Sequence, residues 1–193
     1  MAVPNVTPLK RTAIIVRDMA RSLKFYQGVL GMSVWVQGEA GANLPAIFQL
    51  LGRPVGTMRW IILQSGTVDW GMVGLFELLT PSPPDNLHTD SRCANRGEAC
   101  LVFHTPDVNA IHRGAKRLGL KVLCPPTVLA LPAHGVESME MTIRDPNGVL
   151  LNFIQNTKGG SIGLSNRFPG LAKKPRKIKI LPLKPKKRRN GAS

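Results

Sequence analysis

The feature that most constrains this chain is an internal echo. An aspartate opens a segment striped with apolar residues, a Leu-Gly pair closes it, and the pattern occurs twice. Asp18 precedes Met19, Leu23, Tyr26, Val29 and Leu30 at helical spacing, with Gly31 as the stop. Asp107 precedes a second such segment ending at Leu118-Gly119. The two aspartates lie 89 residues apart and the two Leu-Gly stops 88. An aspartate at this place accepts from the first unpartnered N–H groups of a helix, and a glycine takes the left-handed conformation that ends one.

Strand-like runs surround each helix in the same order. Residues 10–17, 32–37, 57–64 and 72–79 are β-rich in the first half; 98–105, 121–124, 127–131, 136–143 and 149–155 are so in the second. Strand, helix and three strands, repeated once, predict an α+β fold of two tandem βαβββ modules over residues 10–80 and 97–156. A Pro-, Ser-, Asn- and Asp-rich linker over 81–96 joins them. Residues 40–56 read as an inserted loop holding one or two helical turns around Phe48.

Composition removes several classes. The chain is 43% hydrophobic over 193 residues, enough to bury a core. Its apolar runs are strand-sized, far below the roughly 18 residues of a membrane span. The first residues lack the apolar region of a signal peptide. Cys93, Cys100 and Cys124 form neither a paired framework nor a Cys-x-x-Cys zinc spacing. The expectation is a soluble, cytoplasmic protein. The net charge of +15 misleads at first sight, because residues 157–193 hold twelve of the 26 Lys and Arg and no Asp or Glu. The body is nearly neutral, and the basicity belongs to a C-terminal tail.

Three segments carry a resemblance. They are Arg17-Asp18-Met19-Ala20-Arg21-Ser22-Leu23-Lys24-Phe25-Tyr26 with Val29-Leu30-Gly31-Met32, then Val73-Gly74-Leu75-Phe76-Glu77-Leu78, then Arg144-Asp145-Pro146-Asn147-Gly148-Val149-Leu150-Leu151-Asn152-Phe153. Together they resemble the vicinal oxygen chelate superfamily, which includes glyoxalase I, extradiol dioxygenases, fosfomycin resistance enzymes and bleomycin-binding proteins. The resemblance covers residues 9–156 and implies that the sheets form a cup with a divalent metal at its floor. It places Arg11 and Cys100 at the first pair of ligand positions, and Glu77 and Asn152 at the second. Such a fold hosts many chemistries, so function rests on the site.

That set argues against a metal or other cofactor. Arginine has no acceptor lone pair, Asn152 is a weak neutral donor, and Cys100 ligates only as a soft thiolate. The resemblance implies that Arg11 and Glu77 are neighbours. One reading is a pair that neutralises itself; the other is catalytic, with Glu77 as general base and Arg11 stabilising negative charge. Cys100 reads first as a packed thiol and second as a nucleophile. His104 lies four residues further along the same strand, too far for direct activation of that thiol. His88 and His134 sit in loops and read as solvated or structural, and His112 on the second helix as exposed.

Trp35, Trp60, Trp70, Phe48 and Met58 crowd the first module. Core packing is the plain reading of each, but Phe48 on an inserted segment suggests a lid over an apolar pocket. The candidate ligand contacts are Arg11, Phe48, Trp60, Cys100, His104 and Asn152. Whether Arg59 or Trp60 faces inward is open, since the two alternate on one strand.

Four prolines and the lack of acids predict a flexible tail over 157–193. A solvated appendage is one reading; contact with nucleic acid or an anionic surface through Lys184-Pro185-Lys186-Lys187-Arg188-Arg189 is the other. The functional expectation is therefore a glyoxalase-like protein, possessing lyase or isomerase activity or not, that takes a small apolar or aromatic molecule in its cup without a metal. The alternatives are metal-free sequestration of the resistance type, and a vestigial cup carried by a basic tail. The resemblance also implies a homodimer.

Overall fold

A computed structural model describes residues 9–41, 50–52, 56–67, 70–84, 91–131 and 136–158. The first module comprises β1 (Arg11–Ile15), α1 (Met19–Tyr26), β2 (Ser33–Ala40), β3 (Thr57–Gln64) and β4 (Met72–Thr80). The second comprises β5 (Cys100–His104), α2 (Val108–Arg117), β6 (Val122–Leu131), β7 (Val136–Arg144) and β8 (Leu150–Lys158). Each module is a mixed four-stranded sheet, ordered β1-β4-β3-β2 and β5-β8-β7-β6. The outer strand of each pairs in parallel with the last strand, β1 with β4 and β5 with β8; the remaining pairs are antiparallel.

Both helices start as the sequence predicts. Asp18 Oδ1 accepts from Arg21 N at 3.0 Å, and Asp107 Oδ1 accepts from Ala110 N at 2.9 Å. The second helix stops as expected, with Leu118 as its cap and the left-handed Gly119, at φ 65°, just after; α1 ends earlier than expected, at Tyr26 with Gln27 as its cap, leaving Val29 and Leu30 in the turn before the left-handed Gly31, at φ 71°. Two further details differ from expectation. The runs at 121–124 and 127–131 are one strand, β6, whose register with β7 shifts around Pro125 and Pro126. β6 is an edge strand, where prolines that cannot donate are tolerated. The last strand also continues to Lys158, into residues expected to belong to the tail.

The helices cover one side of each sheet. Ile14, Val16, Met19, Phe25, Tyr26, Ile61, Leu63, Val73 and Leu75 from the first module join Val108, Ile111, Ala115, Met141, Ile143, Leu151 and Phe153 from the second in one core. Polar contacts tie the modules at the Asp145–Gly148 turn. Tyr26 Oη donates to Asp145 Oδ2 at 2.9 Å, Asn147 Nδ2 donates to Ser22 Oγ at 3.1 Å, and Arg17 N donates to Asn147 Oδ1 at 3.1 Å. Burial comes first, and then Asp145, in holding the Tyr26 phenol far above its ordinary range, so it remains a donor. Gly114 of α2 packs directly against Val29, where a β-carbon would collide. Among the described residues, no helix is long and apolar enough to cross a membrane.

Candidate functional site

Strand alternation sorts each sheet into a face under its helix and a face turned away. Val73 and Leu75 of β4 and Ile61 and Leu63 of β3 belong to the shared core under α1. Their neighbours Met58, Trp60, Phe76 and Leu78 pack on the opposite side with Ala40. The register agrees, with Met58 opposite Leu78, Trp60 opposite Phe76 and Gly38 opposite Trp60.

This second face is a floor built for rings. A β-carbon at Gly38 would lie 2.6 Å from Trp60 Cζ2, so the indole rests directly on the glycine. A β-carbon at Gly74 would lie 2.8 Å from Phe76 Cε2, so the phenyl ring folds over the backbone there. A side chain at either place would push a ring off the sheet. Trp60 is thus on the face turned away from α1, and Arg59 is under it.

Glu77 is on the Arg59 side. Between Met72 and Leu78 the register advances one residue at a time, so Glu77 shares a face with Val73 and Leu75. Its Oε1 accepts from Met19 N at 3.4 Å, at the first turn of α1. Its Oε2 lies 3.0 Å from Arg59 Nη2. The pair is a charge contact and not an aligned fork, because Arg59 Nε and Glu77 Oε2 are buried without a hydrogen-bond partner. Arg11 lies at the exposed start of β1, opposite Met72, on the other face of the sheet. The expected Arg11–Glu77 neighbourhood is therefore replaced by Arg59–Glu77, since a one-residue offset moves a side chain through the sheet.

In the second module, Cys100, His104 and Asn152 do share a face, the one turned away from α2. They alternate with Leu101, Phe103 and Phe153, which pack in or against the core. Asn152 Nδ2 donates to Glu140 Oε2 at 3.3 Å and to Thr142 Oγ1 at 3.4 Å, while Ser138 Oγ donates to Glu140 Oε1 at 2.8 Å. Cys100 is exposed and not packed, yet desolvation and then the Glu98 charge push its thiol up. Such a thiol is a poor nucleophile at neutral pH. His112 is half-buried; burial and Lys116 lower its basicity, in that order. Phe48, His88 and His134 lie outside the described residues, as does the tail from 159 onward.

Among the described residues, no hydrogen bond or ion pair joins Arg11 or Trp60 to Cys100, His104 or Asn152. The residues do not fit the metal that the resemblance implies. Among the described residues, no group of three or more His, Cys, Asp or Glu is placed to hold an ion. Of the four positions, one is a guanidinium, one carboxylate faces the helix, one amide is engaged by its neighbours, and one is a thiol that desolvation and the Glu98 charge bias against ionising.

A model of the Glyoxalase/Bleomycin resistance protein/Dioxygenase superfamily matches residues 9–153. The chain belongs to that superfamily. Solved structures of similar fold include a glyoxalase family protein from Bacillus cereus, at 14% identity and a TM-score of 0.61, covering 81% of this chain and 98% of that one. A glyoxylase/bleomycin resistance protein/dioxygenase domain from Frankia sp. EAN1pec has 14% identity and a TM-score of 0.53, covering 79% and 99%. TnmS3, an antibiotic binding protein from Streptomyces sp. CB03234, has 16% identity and a TM-score of 0.50, covering 80% and 100%. At these identities the likeness is one of fold. A comparison with proteins of curated function finds no match. Superfamily membership accounts for the repeated module. Sequence reasoning overlooked Phe76, Ser138, Glu140 and Thr142. The signal for Glu140 was its alternation with Met139 and Met141 on a strand whose other face is polar.

Proposed function

We propose that this superfamily member binds a small, flat, apolar or aromatic molecule on the sheet faces turned away from its helices, and holds it without chemical turnover. The observation that carries the reading is the floor of Met58, Trp60, Phe76 and Leu78, in which Gly38 and Gly74 let two rings lie down on the sheet. Flat rings of this kind bind other rings by offset or edge contact, adding about 0.5–1.5 kcal/mol per pair beyond area burial. The antibiotic-binding Streptomyces protein of the same fold supports the sequestration class over the lyase or isomerase class. So does Glu77, the residue expected to act as base, which is committed to Arg59 and to the start of α1 on the other side of the sheet.

Self-association belongs to the same reading. Trp35 and Val36 of the edge strand β2 are exposed, and a second copy of the chain is the partner that covers them. Sedimentation across a concentration series measures this directly.

The test of the main reading is a titration with planar aromatic compounds followed by tryptophan fluorescence. Trp60→Ala removes the response and the affinity. Bound compound, incubated with a stoichiometric amount of protein and examined by mass spectrometry, returns unchanged. Formation of a product overturns the non-catalytic part; binding that ignores Trp60→Ala overturns the placement.

A further inference from the structure

The two modules share a register but not a chemistry. Met58, Trp60 and Ile62 of β3 stand opposite Leu78, Phe76 and Gly74 of the last strand. At the matching places in the second module, Ser138, Glu140 and Thr142 of β7 stand opposite Asn156, Ile154 and Asn152. An apolar row in one module is a polar row in the other, with a carboxylate where the first has its indole.

That carboxylate lacks the arginine that Glu77 and Glu98 have, and lacks the deep burial and the four neutral donor atoms of Asp145. Glu77 has Arg59, and Glu98 has Arg144. Asp145 accepts from Tyr26 and from the backbone N–H groups of Asn147 and Val149. Glu140 is held only by neutral donors, Ser138 on one oxygen and Asn152 on the other. Each of its oxygens keeps accepting capacity, and among the described residues no Lys or Arg is paired with it. A carboxylate that is fixed in orientation but not neutralised, in a protein of net charge +15, is a site prepared for a cation from outside. Ile154 lies opposite it, giving apolar surface beside the charge; on β5, beyond Ile154, His104 stands in the same row and Val102, 57% exposed, one row away.

We propose that Glu140, steadied by Ser138 and Asn152, receives a protonated amine of the bound small molecule, so that the ligand is a cation with a flat apolar body. The inference rests on the binding reading above and narrows its ligand class. The rest of the protein works against it: general attraction to a chain of this charge favours anions. A preference for a cation therefore reports a local carboxylate.

The experiment is calorimetric titration of the full chain at low salt with three probes sharing one ring: 1-naphthylmethylamine, 1-naphthylmethanol and 1-naphthoate. The amine is expected to bind about tenfold more tightly than the alcohol, with the carboxylate weakest. Glu140→Gln abolishes the amine's advantage over the alcohol. An amine no tighter than the alcohol, a preference for the carboxylate, or an amine preference that survives Glu140→Gln overturns the assignment. If Glu140→Gln does not fold, Glu140→Asp, which draws the carboxylate back from the ligand, should shrink the amine preference, and a preference that it leaves unchanged overturns the assignment. Alcohol binding that ignores Trp60→Ala defeats the aromatic-floor reading, while an amine preference lost only in Glu140→Gln still upholds this one. If none of the probes binds, both fall.

Discussion

Glu77 Oε2 lies 3.0 Å from Arg59 Nη2 beneath α1, on the far side of the sheet from Trp60. The ion pair closes the start of the helix against β4, and Met19 N completes it by donating to the other carboxylate oxygen. Both side chains are largely buried, at 14% and 10% exposure. This relationship separates stability from binding, because the strand contributes a charge to one face and a ring to the other.

Glu77→Gln leaves the Arg59 guanidinium buried without a counter-charge. The expected cost is about 3 kcal/mol of unfolding free energy, measured by urea denaturation. Affinity for an aromatic probe is expected to stay within about twofold at a temperature where the variant is folded. A variant of normal stability that has lost binding or activity would return Glu77 to the site.

The fold was legible because its signals are local. Asp18, Asp107, Gly31 and Gly119 announce helix ends within a few residues of themselves, and the repeat at 88–89 residues orders the strands around them. The faces of the strands were not legible. On β4, Val73 and Leu75 are apolar, but so are Met72, Phe76 and Leu78, so alternation offers no clue to which side Glu77 joins. On β3 the adjacent Arg59 and Trp60 pose the same ambiguity. What decides both is distant in sequence: the first-turn N–H of Met19, which no carbonyl of α1 can meet and Glu77 does, and the bare backbone of Gly38. Glu140 was overlooked because the resemblance draws attention to the last strand of each module, and this carboxylate is on the one before it.

Gly38→Ala tests the floor without touching a ligand-binding side chain. Its β-carbon would come within 2.6 Å of the indole, so Trp60 must lift from the sheet. Overpacking of this kind costs about 1–3 kcal/mol. The expected result is a lower melting temperature, a shifted tryptophan emission maximum, and weaker binding of planar compounds. Unchanged emission and affinity would mean that the ring does not lie where the floor requires it.

Cys100 should be visible to reagents but slow to react with them. The side chain is exposed, while desolvation and the neighbouring Glu98 charge disfavour its thiolate, the reactive form. Alkylation by iodoacetamide at pH 7, followed by peptide mass spectrometry, should proceed more slowly at Cys100 than in an unstructured cysteine peptide. Glu98→Gln removes the nearby negative charge and should raise the rate. A rate at or above the peptide's would contradict the electrostatics.

Glu98 itself carries the clearest pH dependence in the described structure. Arg144, 3% exposed, reaches it through Nη1 and Nη2, and also donates to the carbonyl oxygens of Ser91, Cys93 and Gly148. One guanidinium thereby clasps residues 91–98 to the Asp145–Gly148 turn. Hydrogen bonding from Arg144 comes first among the causes that lower the Glu98 carboxyl to about 2, with Asn95 adding to it and burial opposing. The unfolded chain binds this proton near the ordinary value of 4.5, and the folded chain resists it until about 2. A depressed folded value means that the contribution to stability is complete above pH 4.5 and is lost as the pH falls through that interval. Glu98→Gln is therefore expected to melt below the unmodified protein at pH 6, with the gap narrowing between pH 4.5 and 2 and closing at the lower end. Melting curves at half-unit pH steps measure it. A gap that is constant with pH would show that the clasp acts through packing alone, and that the charge on Glu98 contributes nothing to holding the linker in place.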